Sequence, residues 1–205
     1  MSTLAIALLS SIVARDIEWQ TSLEACLARA PAESKVVFLA VNMDGEPANE
    51  RMAEGVYRDK TIVRLSERTL NAVASASPHP DWERPCPRFR GIACADHRLV
   101  DMQARERILE ADGAGRVVAP QHVFLAPDGS VIFSVPYEIT ALELEWCLAK
   151  AILTVDPDAG LEPFCTPGSR SLPSAARSAS SEAATPSCSS ATAASERTAA
   201  FELPS

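Results

Sequence analysis

One proline-rich stretch of this chain brings together two thiols and an imidazole, side chains that can bind metals or carry out redox chemistry. Cys86, Cys94 and His97 lie within it, and the spacing Cys94-x-x-His97 would place sulfur and nitrogen about one turn apart on a helix. Zinc and other soft metal ions prefer thiolate and imidazole ligands. Two thiols in one loop can instead form a structural disulfide, or a redox-active pair if a helix N-terminus stabilises one thiolate.

The spacing in this stretch matches no zinc-site pattern, so the residue types leave several interpretations open. A further metal ligand could come from His79 in the same stretch or from His122 further along. The alternatives are a metal-binding protein, a structural disulfide and a thiol oxidoreductase, built from Cys86, Cys94, His97 and His122. The plain alternative is a set of reduced cysteines with no chemical role.

Other polar residues favour structural roles. Cys26 and Cys147 fall near apolar residues of predicted helices, where a buried thiol packs as a small hydrophobic side chain. Asp44, Glu46 and Glu50 surround a predicted helix start, where carboxylates complement the helix dipole. The sequence contains no phosphate-binding loop, dinucleotide fingerprint, Ser-His-Asp pattern or His-Glu-x-x-His motif. We therefore expect no cofactor.

The overall composition limits the possible partners. The chain has 205 residues, 47% of them hydrophobic, which is enough for one ordinary globular domain. Its formal net charge is -8 and its isoelectric point is near 4.9. This charge argues against a nucleic-acid partner and against adsorption to anionic lipid.

Three regions differ in composition: residues 1–16, 17–155 and 156–205. The first contains an apolar run at 4–13, which is too short to span a membrane and is either a packed segment or part of an export signal. The cytoplasm is favoured, and export stays open. The second region carries the periodic segments of a folded domain. The third is rich in Ser, Ala, Thr and Pro, and we predict a disordered tail that exposes Cys165 and Cys188.

Hydrophobic periodicity in the middle region predicts an α/β domain. Helices are predicted at 21–30, 47–55, 60–68, 98–111 and 140–153, and strands at 36–41, 70–76, 121–125 and 131–135. An Asp-Gly pair at 128–129 marks a tight turn between the last two strands. This order predicts a mixed central sheet with helices on both faces.

Two details of these helices are also predicted. Pro31 is expected to follow the end of the first helix, because proline cannot continue a helical ladder. The helix at 98–111 is expected to bury one apolar side, formed by Leu99, Met102, Ile108 and Leu109.

The order of elements resembles that of bacterial thioredoxin-like domains over roughly residues 17–153. Lys35 opens the central strand as in that superfamily. The segment 117–125 with its following Asp-Gly turn resembles the cis-proline strand and hairpin. The resemblance implies a cis peptide bond before Pro120. It also places the active-site motif of the family on Glu46, Pro47, Ala48 and Asn49.

The chain departs from that family where its two cysteines normally stand, because these positions hold Glu46 and Asn49. Dithiol exchange needs a thiolate at the helix N-terminus and a second thiol that resolves the mixed disulfide. A carboxylate and an amide supply neither. We therefore predict a redox-inactive, non-catalytic thioredoxin-fold module that binds a protein or peptide. Whether the protein is an enzyme stays open, with the balance against it.

Overall fold

The computed structural model of this chain describes residues 16–77 and 83–161. Several predictions lie outside the described residues: the apolar run at 4–13, His79 as a metal ligand, and the tail beyond residue 161 with Cys165 and Cys188.

One mixed sheet organises the described part of the chain. Its helices and strands are β1 (Trp19–Gln20), α1 (Leu23–Glu33), β2 (Val36–Asn42), α2 (Pro47–Glu54), α3 (Lys60–Ser66), β3 (Thr69–Ser75), α4 (Cys94–Arg107), β4 (Gln121–Leu125), β5 (Val131–Pro136) and α5 (Ala141–Val155). A 3₁₀ turn at Val56–Arg58 links α2 to α3. The strand order is β1-β3-β2-β4-β5. Strands β1, β3 and β2 are parallel, whereas β4 is antiparallel to both β2 and β5.

Strand β2 lies at the centre of the sheet and is buried along its whole length. Alternate side chains of a strand point to opposite faces, so its apolar run supplies two cores. Phe38 and its neighbours on one face pack with residues of α2, α3 and α5. Leu39 and its neighbours on the other face pack with residues of α1 and α4. The predicted mixed sheet with helices on both faces is confirmed.

Helix α1 extends further than the sequence predicts, and the expectation that Pro31 follows its end is wrong. Pro31 lies inside the last turn, and the helix ends at Glu33, followed by Ser34, which has a left-handed backbone with φ of 49°. Proline has no N–H to continue the ladder, but Pro31 is exposed and close to the helix end. Strand β1 is also absent from the prediction, because a two-residue strand has too little pattern to detect.

Helix α4 begins earlier than predicted and buries a different side. It runs from Cys94 to Arg107, and Leu99 and Met102 are 40% and 51% exposed. Of the predicted apolar side, Ile108 and Leu109 do pack on the core, but they lie just beyond the end of the helix. Its buried side includes the polar residue Gln103, whose Oε1 accepts from the backbone N–H of Leu23 at 2.9 Å. Gln103 thus caps the start of α1, a contact between distant segments that hydrophobic periodicity does not encode.

Candidate functional site

The N-terminal end of α2 is closed by hydrogen bonds among its own polar groups. Glu46 is the N-cap, and its Oε2 accepts from the backbone N–H of Asn49 at 2.9 Å and from Asn49 Nδ2 at 2.7 Å. Asn49 is buried, and its Oδ1 accepts from the backbone N–H of Met43 at 3.0 Å. The bonds from Asn49 hold the pKa of Glu46 below its usual value. Pro47 and Ala48 complete a first turn that contains no thiol.

Arg88 reaches this end of α2 from a distant part of the sequence. Its guanidinium forms ion pairs with Asp44 and, at 3.1 Å, with Glu50. It also donates from Nη2 to Asn42 Oδ1 at 2.5 Å. The Arg88 side chain is only 12% exposed, and a guanidinium so far removed from water needs partners for its charge and its N–H groups. The carboxylates at this helix start therefore neutralise the charge of Arg88 as well as complementing the helix dipole.

Arg88 lies near the tip of residues 84–94, called the 84–94 loop below, which holds both cysteines that the sequence singles out. The N–H of Cys86 donates to the carbonyl of Ile92 at 2.8 Å, and the N–H of Cys94 donates to that of Arg84 at 3.2 Å. The two cysteines are thus diagonal across an antiparallel pair, where residues are about 7–8 Å apart, whereas the Cα atoms of a disulfide are about 5.5–6 Å apart. Both are buried and form no disulfide.

The four candidate metal ligands are not brought together as a ligand set. His97 is buried on α4, with its ring 5.1 Å from that of Phe89 and its Nδ1 at 3.3 Å from the Val73 carbonyl oxygen. His122 lies on β4 and makes its contacts elsewhere. Over residues 16–77 and 83–161, no group of three or more His, Cys, Asp or Glu side chains is placed to hold a metal ion.

Tyr57 and His122 form a buried polar pair. The Tyr57 hydroxyl lies 2.9 Å from His122 Nε2, and His122 Nδ1 lies 3.4 Å from the carbonyl oxygen of Val135. A carbonyl only accepts, so Nδ1 carries a hydrogen and Tyr57 donates to the bare Nε2. Burial lowers the pKa of His122 to about 4 and raises the pKa of Tyr57. Both groups are therefore uncharged near neutral pH.

Next to these groups, the end of β5 presents an aromatic side chain to solvent. Tyr137 is 67% exposed and has a left-handed backbone with φ of 70°. Its N–H donates to the Pro120 carbonyl at 2.7 Å, and the peptide bond before Pro120 is cis. Glu138 follows in a bidentate ion pair with Arg51 of α2. Val118, two residues before Pro120, is a further exposed apolar side chain at 41%.

The strand order and strand directions of the described residues define a thioredoxin-like fold. A thioredoxin from Thermus thermophilus is 18% identical, with a TM-score of 0.47 over 69% of this chain and 92% of that one. The DsbH oxidoreductase is 13% identical, with a TM-score of 0.47 over 74% and 94%. A thioredoxin-fold protein from Helicobacter pylori is 14% identical, with a TM-score of 0.38 over 60% and 70%.

No family model matches the sequence, and no curated protein matches it. The strand order and directions thus establish the fold of the described residues, which is thioredoxin-like. In the part of the chain that the structure describes, no helix has the length and apolar character needed to cross a membrane.

Arg88, Tyr57 and Tyr137 are absent from the residues that the sequence singles out. An acidic cluster at 44–50 indicates that a counter-charge is needed, but many arginines could supply it. Tyr57 and Tyr137 carry no signal at all, because the burial of one and the exposure of the other arise only in the folded chain.

Proposed function

We propose that this protein is a non-catalytic thioredoxin-fold module that binds an extended segment of a protein or peptide. The chemistry at the start of α2 supports the absence of dithiol exchange. By resemblance, Glu46 and Asn49 stand where the family carries its two cysteines. Their side chains are hydrogen-bonded to each other, and neither can attack a disulfide.

The observation that carries the binding proposal is the exposed Tyr137. A non-glycine residue in the left-handed region costs about 1–2 kcal/mol, and such strain concentrates at functional sites. Here the strained residue is also a large aromatic held in solvent, and tyrosine is one of the side chains that dominate binding energy at interfaces. A purely structural turn at this position would be made more stable by glycine.

The surroundings of Tyr137 favour an extended partner. Residues 118–120 precede β4 without belonging to the sheet, and β5 is the last strand of the sheet order within the described residues. Backbone groups in such positions can pair with an added extended segment, whose side chains then meet the neighbouring surface. Tyr137 lies between residues 118–120 and the end of β5, beside the Arg51–Glu138 ion pair.

Site-specific photo-crosslinking tests this proposal. A benzoylphenylalanine replaces Tyr137 in one variant and Met102, which is 51% exposed on α4, in a matched control. We expect a discrete crosslinked protein from position 137 and none from position 102. The same products from both positions would contradict a binding site at Tyr137.

A substitution then separates binding from stability. Tyr137→Gly removes the aromatic side chain and the backbone strain together, so we expect unchanged or higher thermal stability. Binding of the captured partner should weaken about 30-fold, the loss that corresponds to a hot-spot residue worth about 2 kcal/mol. Met102→Ala should leave the affinity unchanged. Equal affinities for Tyr137→Gly and the parent protein would remove Tyr137 from the site.

A disulfide-reduction assay tests the proposal that the protein is non-catalytic. We expect the natural protein to show no reduction of a protein disulfide, whereas Glu46→Cys with Asn49→Cys creates an oxidisable pair at the start of α2. Reduction by the natural protein that is lost in Cys94→Ser would support the thiol oxidoreductase alternative instead.

A further inference from the structure

Strand β5 leaves one of its edges unpaired within the described residues, because it stands last in the strand order. Tyr137, just past the strand, donates its N–H to the carbonyl of Pro120 on the β4 side. Backbone groups along a strand point alternately to its two sides, so those of Val135 and Phe133 also point to β4. The N–H and C=O of Ser134, which is exposed, therefore point to the open edge and offer a donor and an acceptor to an added strand.

No charged side chain lies along this edge. Residues 129–137 are nine consecutive residues without Asp, Glu, Lys or Arg, in a chain whose net charge is -8. The β1 edge of the sheet differs, because β1 has only two residues and Glu18, Arg29 and Lys35 line the groove beside it. Natural proteins protect exposed edges with short strands, charges and proline. Pro136 removes one donor at the end of β5, but the rest of this six-residue strand is open to another strand.

Two exposed apolar side chains of this edge lie symmetrically about Ser134. Val131 is 52% exposed and Tyr137 is 67% exposed. Each is three residues from Ser134, which is about 10 Å along an extended chain. When two copies of the strand pair antiparallel about a two-fold axis at Ser134, the Val131 end of each strand meets the Tyr137 end of the other. A second copy of this chain therefore covers both exposed side chains in both molecules.

The charges that flank the uncharged run already have partners within their own chain. Glu138 follows the run and is held by both ends of the Arg51 guanidinium. Asp128 precedes the run, and its Oδ1 accepts from the backbone N–H and the hydroxyl of Ser130. Two chains with the same net charge repel each other, and this repulsion is weakest where the facing surfaces carry no charge. The β5 edge is therefore a place where two copies can approach closely.

We infer, building on the proposed function, that the extended segment bound at Tyr137 is β5 of a second copy, so that two chains join their sheets through an antiparallel β5–β5 pair. The N–H of each Ser134 donates to the carbonyl of the other Ser134. Val131 of one chain packs against Tyr137 of the other, so each chain completes the site of its partner. A contact of this length is at the small end of specific interfaces, and the dimer therefore dissociates on dilution.

Sedimentation equilibrium of the full chain in reducing buffer tests this inference. We expect the mass to rise from that of one chain towards that of two as the concentration rises, with a Kd of about 10–100 μM. Such a dimer would be mostly formed at about 1 mM, so the mass of a single chain up to that concentration would overturn the inference.

Two lysine variants isolate the β5 edge. Ser134→Lys sets two positive charges opposite each other at the axis and should weaken association at least about tenfold. Met102→Lys changes the net charge by the same amount at an exposed position of α4 and should not weaken association. Equal association of Ser134→Lys and the natural protein would show that the chains do not pair through β5.

A cysteine at the axis tests the geometry of the pair. Hydrogen-bonded residues that face each other in an antiparallel pair have Cα atoms about 5.5 Å apart, which is within the range of a disulfide. In a chain that also carries Cys165→Ser and Cys188→Ser, Ser134→Cys should therefore give a disulfide-linked dimer under mild oxidation. Met102→Cys in the same background should stay a single chain. The absence of a linked dimer from Ser134→Cys, or equal amounts from both variants, would overturn the pairing.

Photo-crosslinking from position 137 separates the dimer from the proposed function. We expect the crosslinked product of the purified protein to contain two copies of this chain, joined between position 137 and β5. Capture of a different protein, together with the mass of a single chain in sedimentation, would overturn the dimer and leave the proposed function standing. No crosslinked product from position 137 would overturn both.

Discussion

At the level of single residues, His122 makes the stability of the whole fold sensitive to acid. Its pKa is about 4 in the folded protein and 6.5 ordinarily, because burial disfavours the charged ring. Between these values the unfolded chain binds a proton that the folded chain does not, so the free energy of unfolding falls as the pH falls from 6.5 to 4. The whole interval corresponds to about 3 kcal/mol.

Urea unfolding at pH 7 and pH 5 measures this effect in the natural protein and in His122→Phe. The variant leaves Tyr57 without its acceptor and should be less stable at pH 7. Between pH 7 and pH 5, the free energy of unfolding of the variant should decrease by about 2 kcal/mol less than that of the natural protein. Equal losses would show that other groups cause the acid sensitivity.

The candidate site shows what residue types can and cannot predict. Cys86 and Cys94 attract attention by type, but both are buried and diagonal to each other in the 84–94 loop. The residue between them that makes the long-range contacts is Arg88. A charged side chain at the tip of a loop is ordinarily solvated, and only the placement of the loop against α2 gives Arg88 its partners.

At the level of elements, Pro31 weakens the last turn of α1. Its ring nitrogen cannot donate to the carbonyl of Leu27, and proline is among the residues least favourable to a helix interior. Pro31→Ala should raise the free energy of unfolding by about 1–2 kcal/mol, since the gain of a helical bond outweighs the added freedom of the unfolded chain.

Thermal unfolding checks this expectation, with Ala32→Gln as the control because Ala32 is the exposed neighbour in the same turn. Glutamine is nearly as good a helix former as alanine, so the control should shift the free energy by less than about 0.5 kcal/mol. A lower melting temperature for Pro31→Ala would mean that the rigidity of proline matters more here than the missing bond.

At the level of the whole molecule, the two cores keep the cysteines of the described residues away from solvent. Cys26 lies in one core, and Cys86, Cys94 and Cys147 lie in the other. Burial raises the pKa of Cys26 to about 11 and that of Cys147 to about 12. Only the thiolate is a good nucleophile, and at pH 8 a thiol with a pKa of 11 is ionised in roughly one molecule in a thousand.

Alkylation followed by peptide mapping tests this protection. In the native protein at pH 8, Cys26 and Cys147 should react at least about tenfold more slowly than in urea, since only unfolding exposes them. Rapid modification of Cys86 or Cys94 in the native protein would instead show an accessible thiol and favour the redox alternative.

Local physics accounts for the parts of the fold that were predicted correctly. The turn between β4 and β5 needs a residue with positive φ, and Gly129 supplies it with φ of 84°. Helix α5 begins after Thr140, which caps its own first turn. The buried run of β2 has the apolar composition that a central strand requires. Each of these signals involves residues close together in sequence.

The remaining features arise from contacts between distant residues, which no local pattern contains. Strand β1 exists because it pairs with β3, and Gln103 is buried because it caps α1. The contacts of Arg88 and the pairing of Tyr57 with His122 join segments that meet only in the folded chain. Hydrophobic patterning and turn chemistry thus select the elements and their order. The partners of Arg88, the neutrality of His122 and the exposure of Tyr137 depend on how those elements are placed together, because burial and hydrogen bonding are properties of the assembled fold.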